Sequence, residues 1–278
     1  MTGKKSVLFI LVPFALLMTF FFLVPLIYML ISSFTAGGAF TLEHYQEALT
    51  SSYILQGFKN SFALSVVSAL VALVVSLFAV YGMNRFSEPV RERILILSNL
   101  TSNFAGVPLA FAFIVLLGNS GLITLALKSF GWDLSFSLYS WTGLLLIYIY
   151  FQLPLSIMLL YPIFHGIQQQ WKDAASLLGA SAFMFWKKIG LPIILPGIAG
   201  TFTVLFANAM GAYASAYALT GSDYNLASIR IGAVITGDIF AQPELASAIA
   251  VLLGAVMITG MLLSEGFIKK TRKDLSKR

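Results

Sequence analysis

Apolar residues in this chain neither alternate with polar ones nor recur as a single stripe per helical turn. They run on without interruption, and the runs repeat from one end to the other. A helix needs about 20 consecutive, mostly apolar residues to cross the hydrocarbon core of a bilayer. Six segments meet that requirement: Val7 to Ser33, Phe62 to Met83, Ile94 to Leu117, Tyr139 to Phe164, Leu191 to Leu219 and Leu245 to Ile268. The pattern predicts an all-α membrane protein with six transmembrane helices, and an even number of crossings puts both termini on one side. The first run follows Lys4 and Lys5 as a secretory leader would, but it is far longer than the 7–15 apolar residues typical of a leader, so it reads as a span.

Composition agrees with the pattern. Hydrophobic residues make up 59% of the 278 positions and charged residues 10%, with a mean hydropathy of +0.90, whereas a soluble domain carries about 25% charged residues. The absence of cysteine excludes disulfides, thiolate metal sites and cysteine nucleophiles. The net charge of +6 could suggest nucleic acid, but the distribution of the basic residues argues otherwise. With the N-terminus inside, all 17 basic residues except Lys59, Lys128 and Arg230 fall in the inner segments. Cytoplasmic loops are enriched in lysine and arginine, so both termini are expected in the cytoplasm. Juxtamembrane cations beside anionic lipid account for the basic balance, and no nucleic-acid partner is expected.

Candidate chemistry is sparse. The spans hold almost no ionisable residue except Glu265, whereas ion-driven transporters place acids or histidines at membrane depth. His44 and His165 have no ligand cluster near them in sequence and read as surface or interfacial histidines, so no metal site is expected. The phosphate-cradling G-x4-G-K-[ST] loop, the HExxH zinc pattern and the G-x-S-x-G nucleophile elbow are all absent. No catalytic residue and no cofactor of its own are therefore expected, and the chain should not be an enzyme by itself.

One inner segment breaks the apolar monotony, "WKDAASLLGASAFMFWKKIGLPIILPGI" from Trp171 to Ile198. Asp173 with Ala174 and Ala175 suits the start of a short helix, where an acid opposes the positive end of the dipole. Gly179 offers bare backbone for close approach or a turn between two half-helices. Lys187 and Lys188 mark the interface, and Leu191 with Pro192 suits the first turn of the next span. Composition alone would allow an ordinary amphipathic inner loop. The spacing is more specific: Asp173-Ala174-Ala175, three residues, Gly179, nine residues, Ile189, one residue, Leu191-Pro192.

That spacing resembles the EAA loop of binding-protein-dependent ABC importer permeases of type I, E-A-A-x3-G-x9-I-x-L-P, with aspartate in place of glutamate. The resemblance covers essentially the whole chain: a first helix with a short outer segment over 1–58, a five-helix core over 59–268 that contains the cytoplasmic loop 166–190, and a basic cytoplasmic tail over 269–278. It implies a bacterial inner-membrane subunit. Asp173, Ala174, Ala175 and Gly179 would dock on a cytoplasmic ATPase that holds ATP and Mg, while Ile189, Leu191 and Pro192 would fix the loop against its own span. It further implies a second permease chain, related or identical, and an extracytoplasmic substrate-binding protein. Among branches, the overall pattern is most similar to spermidine/putrescine permeases, with ferric iron, phosphonate and sulfate-like anions as alternatives.

Polar or backbone-weakening residues within spans need a partner, a cavity or water. "SNLTSNFAGVPLAFAF" places Asn99, Asn103 and Pro108 in the third span, and "FANAMGAYASAYALTG" places Asn208, Met210, Tyr213 and Tyr217 in the fifth. These seven are the candidate pathway residues, with interhelical packing as the competing reading. In the fourth span Pro154 is expected to kink the helix, with Gln152 satisfying the freed backbone groups. The segment from Gly221 to Glu244, with Asp223, Arg230 and Asp238, reads as an outer gate, a docking edge or a solvated loop. A stand-alone secondary transporter or channel is the competing class, and it would predict buried ionisable residues or inverted repeats.

Overall fold

The computed structural model describes residues 11–132, 136–237 and 241–276. Lys4, Lys5, Asp238, Lys277 and Arg278 lie outside these residues, as does the start of the first apolar run. The described chain is helical almost throughout, and its elements in order are α1 (Leu11–Ser32), a hairpin of β1 (Thr35–Ala36) and β2 (Ala39–Phe40), α2 (Glu43–Thr50), α3 (Ser52–Met83), α4 (Glu88–Ser102), α5 (Val107–Leu117), α6 (Leu122–Ser129), α7 (Trp141–His165), α8 (Gln169–Leu177), α9 (Ala182–Gly211), α10 (Ala214–Thr220), α11 (Ala227–Thr236) and α12 (Pro243–Ser276). Among the described residues six stretches are long and apolar enough to cross a membrane, as the hydrophobic pattern predicts.

Three of the expected spans are redrawn, the second beginning ten residues earlier than expected, at Ser52. The third, expected as one helix from Ile94 to Leu117, is broken: α4 stops at Ser102, α5 begins at Val107, and the stretch able to cross runs Val107–Ser129. The run of polar residues at the end of α4, the glycine at 106 and the proline in the first turn of α5 make continuation costly. The fifth begins nine residues earlier than expected, at Ala182, and stops at Gly211.

Two helical runs each contain one wide turn, Thr19–Leu23 in α1 and Trp186–Gly190 in α9, where the hydrogen bond spans five residues. Each is followed two residues later by a proline, Pro25 and Pro192. A proline inside a helix lacks the N–H its turn requires and crowds the preceding carbonyl. A single wide turn just before it spreads the ladder and relieves that crowding.

The chain divides into two compact units, Met1–Phe58 with Asn225–Ala255, and Lys59–Tyr224 with Val256–Arg278. In the first, a small core joins Ala48, Ile54, Leu245 and Ile249. Its hairpin is held by Phe34 stacked on Phe40 and by a hydrogen bond between His44 Nε2 and the Thr35 carbonyl, so His44 has a local structural role. Arg230, expected on an outer edge, is only 9% exposed; its guanidinium lies 4.6 Å from the centre of the Tyr53 ring. A charge this buried is tolerated when the ring quadrupole and polar partners replace water.

The second unit is organised by a small-residue face. Ser61, Ser65, Ser68, Ala69, Ala72 and Ser76 of α3 recur at helical spacing and are all buried. Small side chains let helix backbones approach, which is how helices associate in lipid without a hydrophobic drive. Across this seam Gln152 Nε2 of α7 donates to Ser68 Oγ at 2.7 Å, and Ser76 Oγ donates to the Leu153 carbonyl at 3.3 Å. Gln152 is fully buried and so bonds a neighbouring side chain, not the backbone groups freed by Pro154 as its position suggested. Glu265, near the inner end of the sixth span, pairs with Lys269 at 3.2 Å on an exposed surface, where such a pair contributes little. Gln152→Leu is expected to lower stability by about 0.6–1.7 kcal/mol, the range for interhelical hydrogen bonds in bilayers. Ser68→Leu should cost more, about 1–3 kcal/mol, because it overpacks the seam. Denaturant unfolding in mixed micelles reads both, and an unchanged midpoint for Ser68→Leu would contradict close packing there.

Candidate functional site

Two breaks in the helices of the second unit are each tied to a hydroxyl of another segment. At the first, Gly106 has φ +76, in the left-handed region that costs a side-chain-bearing residue roughly 1–2 kcal/mol. Its N–H donates to Ser215 Oγ of α10 at 2.9 Å. Pro108 sits in the first turn of α5, where no N–H is required. At the second break, the Ala212 carbonyl accepts from the Tyr148 hydroxyl at 3.0 Å. Tyr148 is buried in α7 with its ring against Phe151. An amide group without a partner in an apolar setting costs roughly 2–7 kcal/mol. Each break therefore depends on a hydroxyl supplied from elsewhere in the unit.

Between the breaks lies a cavity of about 580 Å³, lined among others by Ser102, Gly106, Phe151, Asn208, Tyr213 and Ser215. Its lining offers hydroxyl, amide and aromatic surfaces and no acid or base of the Asp, Glu, Lys, Arg or His type. Such a surface can hydrogen-bond a hydrated polar solute in passing, but it cannot neutralise a charged one. Of the seven pathway candidates, Asn208 and Tyr213 line this cavity, and Tyr217 stacks on Tyr213 with ring centres 5.1 Å apart. Met210 is buried in the core instead. Asn103 Nδ2 donates to the Asn99 carbonyl at 2.8 Å and so closes the end of α4, and neither residue is in the lining. Pro108 is exposed at the start of α5. Serine in an apolar helix usually bonds its own preceding turn, as Ser102 Oγ does to the Asn99 carbonyl at 2.8 Å, whereas Ser215 serves a distant segment.

The inner loop is a second locus. Helix α8 begins at Gln169, so Asp173 stands one turn inside it and not at its start as expected, and Gln169 Nε2 donates to Asp173 Oδ1 at 3.0 Å. The helix ends in a left-handed cap at Gly179, φ +77. The Gly179 N–H donates to the Ser176 carbonyl and the Ala180 N–H to the Ala175 carbonyl, both at 2.9 Å. This is the Schellman arrangement, in which the residue four before the glycine accepts the closing bond and packs near the residue after it. Ala175 is 6% exposed within the core that includes Phe164 and Phe185, and Ala180 packs against the same core. The spacing of Ala175 and Gly179 is thus that of a helix stop. Ala174 and Asp173 face outward, and Leu177 and Leu178 protrude with 90% and 88% of their surface exposed. Ser181 Oγ accepts from the Met184 N–H and starts α9; Ile189 then packs on the core, while Leu191 is exposed and Pro192 half-buried within the span.

Residues 72–273 match the family described as "Binding-protein-dependent transport system inner membrane component". The chain belongs to this family, the permeases of binding-protein-dependent ABC importers. The permease is 26% identical to the probable ABC transporter permease protein y4fN of Sinorhizobium fredii over 90% of this chain and 44% of that protein. It is also 26% identical to the putative ferric transport system permease protein FbpB 1 of Haemophilus influenzae, over 93% of this chain and 40% of that one. The chain thus spans less than half the length of these two curated relatives. Similarity to the spermidine/putrescine transport system permease protein PotC of Escherichia coli is 23% over 84% of this chain and 86% of PotC. In fold, the permease resembles a chain from a bacterial ABC transporter involved in the import of the acidic polysaccharide alginate, with a TM-score of 0.75 and 96% of both chains covered at 17% identity. It also resembles a chain of the MetNI methionine ABC transporter, at a TM-score of 0.58 and 16% identity over 78% of this permease and 95% of that chain.

Ser215→Ala removes the acceptor of the Gly106 N–H, and Tyr148→Phe removes the donor to Ala212. Each is expected to lower stability by about 0.5–1.5 kcal/mol, the net worth of one part-buried hydrogen bond. Unfolding of the purified permease checks both, and wild-type stability in the two variants would mean that the breaks draw on other partners.

Proposed function

We propose that the chain is the membrane-spanning subunit of an ATP-driven importer, forming half of a translocation pathway and coupled to a cytoplasmic ATPase through residues 171–192. The observation that carries this reading is α8: a short helix closed by a glycine cap, anchored inward by Ala175, with Leu177 and Leu178 projecting at its tip. Two exposed leucines in succession are costly in water, and they suit a helix that inserts into a groove on a partner. ATP and Mg belong to that partner. The loop faces the cytoplasm with both termini, as the distribution of basic residues indicates.

The pathway is completed by a second permease unit, related or identical. The length ratio to the first curated relatives, less than one half, is what a chain carrying two such units would give. An extracytoplasmic binding protein delivers the solute, and its docking and ATP-driven closure shift the cavity between two accesses. The uncharged lining supports selection by the binding protein and not by the membrane cavity. The solute is small and polar. A polyamine is the reading favoured by PotC, a curated relative matched over most of both chains. Ferric iron is the second reading, carried by the higher identity to the FbpB permease.

Gly179→Asp tests the coupling. A Cβ at this position meets nothing within 4 Å, and aspartate tolerates the left-handed region better than most residues, so the loop should still fold. The variant is expected to insert and assemble normally, keep ATP hydrolysis in the reconstituted complex and lose most uptake; wild-type uptake would remove the loop from coupling. Leu177→Asp with Leu178→Asp should abolish co-purification of the ATPase, and undiminished recovery of that subunit would show that it docks elsewhere. The co-purified binding protein decides the solute: thermal stabilisation by spermidine supports the polyamine reading, and stabilisation by ferric iron alone supports the other.

A further inference from the structure

A second cavity, of about 410 Å³, opens where the apolar part of α3 ends and α8 packs nearby. Its volume is within the range of about 300–1,000 Å³ typical of small-ligand sites. Four residues of α8 line it, Gln169, Lys172, Asp173 and Ser176. Their spacing of three, one and three residues places them on one stripe of the helix. That stripe differs from the face carrying Ala174, Leu177 and Leu178, so α8 presents one surface to a partner and another to this cleft. From the opposite wall come Asn84 and Arg85, immediately beyond the last apolar residue of α3. Tyr81 and Trp186 close the side, packed edge to face at 5.5 Å.

The cleft therefore combines a guanidinium, an ammonium, two amides and a hydroxyl with two amphipathic rings at the level where a span leaves the hydrocarbon. Its one carboxylate, Asp173, is already engaged by Gln169. Arg85 and Lys172 against Asp173 leave a single net positive charge, which matches a phosphodiester monoanion better than a dianion. Arginine presents a planar fork of donors suited to two phosphate oxygens, and lysine adds a point charge. Tyrosine and tryptophan are enriched at this level of a bilayer because one end of each ring is apolar and the other polar. We propose that this cleft binds a singly charged phosphate group, presented by an anionic phospholipid headgroup. The site lies beside the coupling surface, and its chemistry is independent of which partner that surface meets.

The permease, purified in its complex and placed in nanodiscs of phosphatidylcholine with a minor fraction of phosphatidylglycerol, is read by native mass spectrometry for retained lipid. Both lipids carry a phosphodiester monoanion, but the choline ammonium of phosphatidylcholine adds a cation that Arg85 and Lys172 repel, so phosphatidylglycerol is expected to be retained over phosphatidylcholine by about tenfold. Arg85→Gln and Lys172→Gln should each erase that preference, Arg85→Lys should keep part of it, and Lys269→Gln, an exposed cation outside the cleft, should leave it unchanged. Displacement of the lipid by millimolar inorganic phosphate would identify a phosphate site open to free anion as well, and resistance to displacement assigns it to the lipid. Equal retention of the two lipids by the wild type, which needs no variant to fold, overturns the proposal. So does a preference that survives both charge-removing substitutions, or crosslinking of Lys172 to an acidic partner segment with no lipid retained.

Discussion

In hydrocarbon, a backbone amide or carbonyl that leaves its helix must find another partner, and this constraint governs the second unit of the permease. Two spans end or restart inside apolar sequence, at Asn103 to Gly106 and at Ala212 to Tyr213. Both breaks are held by hydroxyls from neighbouring segments, Ser215 for Gly106 and Tyr148 for Ala212. Irregular backbone at membrane depth is tolerated only where protein buries it or a wet cavity lies beside it. Gly106 and Ala212 lie in the cavity wall together with Ser215, while buried Tyr148 reaches the second break from outside that lining. The site follows from how the fold satisfies its own backbone, without a dedicated set of charged ligands.

The small-residue face of α3 makes this arrangement possible. Serines and alanines from Ser61 to Ser76 let α7 approach closely enough for Gln152 to reach Ser68. That contact holds α7 in register, and α7 carries Tyr148 one turn away from Gln152. Packing along the seam thus sets the position of the hydroxyl on which the second break depends. At the other end of α7 the core that receives Phe164 also receives Ala175 of α8. One helix connects the cavity to α8 through contiguous packing, and this is the physical route that the proposed coupling role of α8 would use.

Much of this was legible in the sequence, and what was not has physical causes. The spans follow from length and hydropathy, which depend on composition alone. The loop was legible because its motif has a local geometric meaning: the interval from Ala175 to Gly179 is that of a Schellman cap, closed entirely by hydrogen bonds within the segment. The third span was misread because hydropathy registers the apolar run and not the place where its ladder stops. The polar residues of "SNLTSN" suggested a lined pathway, yet Asn103 turned out to close its own helix through Asn99. The hydrogen bonds of Ser215 and Tyr148 were not legible because they join residues 109 and 64 positions apart. No periodicity within one segment records such a partner. The wide turns before Pro25 and Pro192 left a faint signal, a proline in the middle of an otherwise continuous apolar run.

If the paired breaks border a water-accessible cavity, thiols placed in its wall will react with aqueous reagents. The chain contains no cysteine, so each introduced thiol reports alone. The most direct measurement is the reactivity of single cysteines at Asn208 and Ser102, which line the cavity, and at Leu205, which is fully buried, toward a small charged thiol reagent in the assembled, membrane-embedded permease. The account predicts fast labelling at 208 and 102 in at least one nucleotide state, and none at 205. Inert thiols at both cavity positions in every state, or labelling at 205 as fast as at 208, would contradict it.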